Sequence, residues 1–160
     1  MDTPAAVSEA NINLAKRFFD GSTRNDLQTY LSFLDPDAEI DASRVPRPYA
    51  GIYRGREQIE ALFCEMHHPW KAVRYATANP LADGDHVVID VLRTTTARGG
   101  DGGVWSALTA ALTVRADRIA SFKVFPTRDD ALKAAGLAVI GGRRLSPGRY
   151  ARAACSACPL

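Results

Sequence analysis

Between residues 70 and 125 the sequence reads as four successive strand-forming stretches, roughly 70–82, 86–97, 104–115 and 118–125. They are parted only by "DGD" at 83–85, "RGGDGG" at 98–103 and "RAD" at 115–117. Parallel neighbours need a crossover of a dozen or more residues, and none of these links is long enough. The four stretches must therefore run as an antiparallel meander. Strands of this length cannot stay flat; they coil, and they bend at bulges.

The residues before the meander follow a different period. Residues 8–20, "SEANINLAKRFFD", place Ile12, Ala15, Phe18 and Phe19 on one helical face, with Ser8 as the cap and Gly21 as the end. A second helix is predicted over 25–34, its stripe Leu27, Tyr30, Leu31 and Leu34, capped by Asn25 and stopped by Pro36. "DAEIDAS", 37–43, alternates as a short strand. "RVPRPYAGIYRG" then marks a loop with a small hairpin. A third helix, 56–66, aligns Ile59, Leu62, Phe63 and Met66. Thr127 caps a short last helix that Gly136 stops. Helices gathered to one side of an antiparallel sheet define an α+β fold. The expected shape is a cone: a curved antiparallel sheet packed against three N-terminal helices, with a short C-terminal helix. Its wide end leaves an apolar cavity of the kind that suits small organic ligands.

The chain has 160 residues, 46% hydrophobic and 24% charged, which fits one domain over residues 1–140. The formal charge of +2 is unevenly spread. Four arginines and no acid lie in residues 143–160, leaving 16 bases against 18 acids in the rest. Residues 141–160 are expected to be a flexible basic tail. A mildly acidic body does not suit nucleic acid. No apolar run is long enough to span a membrane. The opening "MDTPAAVSEA" lacks the marks of a secretory leader, and the three cysteines, Cys64, Cys155 and Cys158, do not suit a secreted disulfide framework. Cytoplasm is the expected location. "CSAC" at 155–158 has CxxC spacing but no second pair, no nearby histidine and no strand–helix setting. Neither metal nor cofactor is expected.

The segments "YAGIYRGREQIEALF", "LADGDHVVIDVLRTTTARGG" and "LTVRADRIASFKVFPTRDDALKAAGL" together resemble the SnoaL-like polyketide cyclase branch of the nuclear transport factor two-like superfamily, over about residues 8–137. The resemblance implies the cone fold and a homodimer. It also implies one of several activities hosted on that scaffold: cyclase, isomerase, epoxide hydrolase, dehydratase, or plain binding and docking. Fold does not fix function here, so the site must be argued from its residues.

Asp90 is the anomaly of the second long strand, an acid among Val87, Val88, Ile89, Val91 and Leu92. A buried carboxylate must find a partner, shift its pKa or do chemistry. It shares one face with His86, Val88, Leu92 and Thr94. The other face holds Val87, Ile89, Val91 and Arg93. Both faces are apolar, so alternation does not say which lines the cavity. In members resembling limonene-epoxide hydrolase, an aspartate at this strand position helps activate water, with an arginine two residues earlier and a second aspartate on the last strand. Here those places hold Val88 and Lys123. Asp90 is a candidate acid or base, or else a structural ion pair with Lys123 or Arg93.

Lys123, Tyr53 and His68 are candidates for electrophilic or acid–base help. Lysine stabilises an enolate, a phenol donates to a carbonyl oxygen, and histidine titrates near neutrality. His67 and His68 together end the third helix, where a cation also complements the helix dipole. Asp41, Arg44 and Tyr49 border the loop that the resemblance places beside the ligand. Trp70 and Trp105 are candidate ligand walls or core. The leading expectation is a cofactor-independent enzyme acting by proton transfer on a small hydrophobic, polyketide-like metabolite. The rival is a non-catalytic domain that binds such a ligand or dimerises. Convergence of Asp90 with Tyr53, His68 or Lys123 in one apolar pocket favours catalysis. An Asp90 facing away from the pocket favours binding.

Overall fold

The computed structural model describes residues 3–100 and 102–137, and the expected basic tail with its CxxC pair lies outside them. In chain order the elements are α1 (Pro4–Thr23), α2 (Leu27–Ser32), β1 (Leu34–Asp41), β2 (Ile52–Arg54) and α3 (Gly55–His67). Then come β3 (Trp70–Asp83), β4 (His86–Ala97), β5 (Gly103–Arg115), β6 (Arg118–Phe125) and α4 (Arg128–Ala134). The six strands form one mixed, open sheet in the order β2-β1-β6-β5-β4-β3. The architecture is the expected α+β cone.

The meander β3–β6 is antiparallel throughout, as its short links demand. The β5–β6 link is a tight turn in which Ala116 and Asp117 both take positive φ, 51° and 61°. That is the geometry that matches strand twist. A bulge in β3 between Ala78 and Leu81, and one in β6 between Ile119 and Ser121, bend the sheet. β1 departs from expectation. It forms the expected small hairpin with β2, and on its other side it runs parallel to β6, which makes the sheet mixed rather than wholly antiparallel. It also begins at Leu34, with Pro36 inside the irregular stretch between Leu34 and Glu39, where no ladder hydrogen bond is lost.

The helices start where side chains cap them. Thr3, not Ser8, caps α1, accepting from Ala6 N with Pro4 at the first helical position. α1 continues past Gly21, where an added Cβ would stand 3.3 Å from Thr29 Cγ2; the glycine lets α2 close on α1. Asp26 rather than Asn25 caps α2, because Asn25 takes φ 53° and turns the chain. α1, α2 and α3 cover the concave face, burying Phe18, Phe19, Tyr30, Leu62 and Phe63 against Val87, Ile89, Val91, Ala110 and Leu112. α4 packs on the opposite, convex face, where Ala131 and Leu132 meet Val88, Ala111 and Phe125. Both faces of β4 are therefore buried, which is why its apolar pattern does not alternate. No helix among the described residues is long and apolar enough to cross a membrane.

Candidate functional site

Odd residues of β4 point into the cone and even ones point out. Of the odd set, Val87 and Ile89 pack into the core, and Val91 and Arg93 border a cavity of about 300 Å³. Its floor and walls come from Phe18 and Phe19 of α1, Leu62, Phe63 and Met66 of α3, Val91 of β4, and Leu108 and Ala110 of β5. The loop Val45–Tyr49 lines one side. Two prolines, Pro46 and Pro48, stiffen that loop. A mostly apolar concavity with a few polar groups is the general form of a small-molecule site.

Asp90 is not in it. It lies on the convex face, 0% exposed, under α4. Three donors satisfy it: Asn79 Nδ2 at 2.9 Å, Thr109 Oγ1 at 3.0 Å and Arg128 Nη1 at 3.0 Å. The ion-pair partner is neither Lys123 nor Arg93 but the first residue of α4. Asn79, at φ 51° in the β3 bulge, is turned to donate to it. A carboxylate so placed ties α4 to the sheet and cannot touch a ligand in the cone.

The remaining candidates divide. Tyr49 and Trp70 line the cavity. Lys123 does not, because its neighbours Phe122 and Val124 take the concave positions on β6. Trp105 is displaced in the same way by Val104 and Ser106, and it stands 54% exposed. Tyr53 lies outside the lining, its hydroxyl donating to Tyr49 O at 2.9 Å. Asp41 is buried between Ile40 and Ala42, which line the cavity while it does not. It accepts from Ser43 N, Ser43 Oγ and Arg44 Nη1. Burial pushes its carboxyl upward, but those donors outweigh burial and hold it below 3.8. Arg44 is a partner of that carboxylate and lies over the Phe125 ring at 4.6 Å, off the cavity.

Of the paired histidines, the cavity takes His67, and His68 is exposed. His67 faces two carbonyls: Nδ1 lies 2.8 Å from Phe63 O and Nε2 lies 3.0 Å from Ser22 O. Its ring stacks on Phe63 at 4.0 Å. The Ser22 O contact joins α3 to α1 and the Phe63 O contact stays within α3; the neutral ring, with one N–H, donates to one of the two carbonyls. Burial holds its pKa below 6.5, with the two carbonyl contacts opposing.

Arg93 and Tyr75 are the residues that sequence reasoning did not place at the site. Arg93 donates from Nη2 to Met66 O at 2.8 Å and passes 5.6 Å over the Tyr49 ring. Its Nε is buried without a partner, and so is the indole Nε1 of Trp70. Tyr75, paired with Arg93 across β3 and β4, has its phenol pushed up by burial, against the pull of the Arg93 charge. Arg93 shares its strand face with Val87, Ile89 and Val91, but alternation alone does not say which face of the strand meets the cavity. The cavity lining contains no Asp or Glu. Among the described residues, no cluster of His, Cys, Asp and Glu could hold a metal ion.

No curated protein matches the chain. Among solved structures, Bal32a from a soil-derived mobile gene cassette is similar, with a TM-score of 0.64 at 18% identity, over 73% of this chain and 88% of that one. A putative polyketide cyclase of Sinorhizobium meliloti is similar with a TM-score of 0.56 at 18% identity, over 70% and 93%. An LEH-like epoxide hydrolase of M. tuberculosis is similar with a TM-score of 0.62 at 17% identity, over 84% and 89%. At such identities the likeness is one of fold. The SnoaL-like domain family model matches residues 15–122, from the middle of α1 into β6. The chain therefore belongs to the SnoaL-like domain family.

Proposed function

We propose that this protein is a small-molecule-binding domain whose cone cavity holds a compact, aromatic-sized metabolite. One observation carries the reading: the space is walled by Phe18, Phe19, Leu62, Phe63, Leu108 and Val91, while no acid lines it and both nitrogens of its histidine face backbone carbonyls rather than the space. The cavity is at the small end of the range that ligand pockets occupy. Binding is thus favoured over turnover by Asp90. Native mass spectrometry of the purified protein, with a library of aromatic metabolites, tests it. Retained ligand in the parent and none in a folded Leu108→Trp variant is the expected result. Equal retention by both would put the ligand elsewhere.

A second reading keeps chemistry in the same cavity, in line with the polyketide cyclase and epoxide hydrolase among its structural neighbours. Tyr75 and Arg93, paired across β3 and β4 and both in the cavity lining, favour it, since a phenol O–H and a guanidinium side by side can hydrogen-bond a developing oxyanion. Asp90 has no part in that version. Loss of turnover in Tyr75→Phe with binding intact would support it.

A second copy of the chain is the proposed protein partner. The exposed Trp105 on the open sheet suits such a contact. Light scattering of Trp105→Glu, expected to shift a dimer to monomer, tests it.

A further inference from the structure

The cavity has one feature that an apolar ligand alone does not explain. A guanidinium lies in its wall with no carboxylate to answer it. The ion pairs among the described residues are Arg44–Asp41, Arg54–Glu39 and Arg128–Asp90, and Arg93 is in none of them. No acidic side chain lines the cavity. The other cation in the lining, Arg47, is exposed in the loop and adds to the same sign of field. His67 and Tyr75 face Arg93 from α3 and β3 and bring no negative charge at neutral pH.

Taking a cation out of water is costly unless an anion or a full set of acceptors replaces the water. Arg93 has only part of that set. Nη2 reaches Met66 O, the neutral Tyr75 hydroxyl is a further side-chain partner, the ring of Tyr49 lies beneath, and Nε is left buried without an acceptor; none of these carries a negative charge. A second donor in the same lining, the Trp70 indole N–H, is also buried and unanswered. Two unpaired donors and one unpaired positive charge call for an anionic oxygen acceptor. The apolar surroundings restrict what can carry it. A free phosphate would lose its hydration for too few donors, and an organic cation would be repelled.

We propose that the ligand is a flat, apolar acid, ionised at neutral pH, whose carboxylate or enolate oxygen is held by the Arg93 guanidinium and the Trp70 indole N–H. This inference rests on the small-molecule-binding reading and names the ligand class for that same cavity. The hydrocarbon body fills the space between Phe18, Phe63 and Leu108, and the charged end lies toward the junction of α3 and β3. A neutral ligand of the same shape would leave the guanidinium uncompensated, so the cavity selects for charge as well as shape.

The test is calorimetric titration with naphthalene carboxylate and with naphthalene carboxamide, which matches it in shape without the charge. The parent protein is expected to bind the carboxylate about tenfold or more tightly than the carboxamide. In Arg93→Gln the preference for the carboxylate over the carboxamide is expected to vanish. In Arg93→Lys, which keeps the charge but not the fork, part of the preference remains. Equal affinity of the parent for both compounds would overturn the acid assignment and leave the cavity as a binding site. Binding of neither would overturn the binding reading and this inference with it. The comparison in the parent protein stands whether or not Arg93→Gln folds.

Discussion

Two charged residues three positions apart on β4 meet opposite fates. Asp90, on the convex face, is fully buried and receives Asn79, Thr109 and Arg128. Arg93, on the concave face, lines a cavity without a single acid and keeps an unpaired Nε. The same strand thus carries a charge that the fold has satisfied and a charge that it has not. A satisfied charge specifies how elements dock. An unsatisfied one costs stability, and natural chains accept such costs where a ligand later supplies the missing partner.

The sharpest way to break this contrast is to remove Arg128. Asp90 cannot reach water, so Arg128→Met leaves a buried carboxylate with only two neutral donors. The expected loss is about 3–5 kcal/mol, read by urea denaturation. Asp90→Asn should cost less, about 1–3 kcal/mol, because the Arg128 side chain is already 20% exposed and can turn to solvent. Reversal of that order would mean that the cation, not the carboxylate, is the trapped member of the pair.

His67 extends the comparison to pH. Its folded-state pKa lies below 6.5 because it is buried, so the unfolded chain takes up the proton first on acidification. Its contribution is fully present above pH 6.5 and is lost as the pH falls below it. Melting temperature should drop across that window, and His67→Gln should flatten the drop. Arg93→Met should have the smallest effect on stability, within about 1 kcal/mol of the parent. It gives up the bond to Met66 O but also relieves an uncompensated charge. A loss as large as that of Arg128→Met would mean that Arg93 is structural.

The four-strand meander, the three helices and the capped last helix were legible because their apolar residues recur at strand or helix spacing and the links are too short for crossovers. The face of Asp90 was not. Val88 and Leu92 make its face as apolar as that of Val87, Ile89 and Val91, because α4 covers one side and α1–α3 the other. Nothing local to β4 announces a helix that arrives some 40 residues later. The parallel pairing of β1 with β6 was hidden for the same reason, since register between distant strands leaves no local trace. Tyr49 was named because the family resemblance places its loop beside the ligand, and Trp70 stood between ligand wall and core; both line the cavity. His68 was preferred over His67 although His67 continues the helical stripe through Phe63, its i−4 neighbour. Lys123 and Trp105 went astray by one residue of alternation each, which is enough to exchange the faces of a strand.

The most direct measurement is the affinity of folded Asp90→Asn for naphthalene carboxylate, beside that of the parent. If the convex carboxylate only docks α4, the two affinities agree within about twofold, while stability drops. A loss of about tenfold or more in a variant that remains folded would place Asp90 at the ligand and contradict the division of β4 into a structural and a binding face.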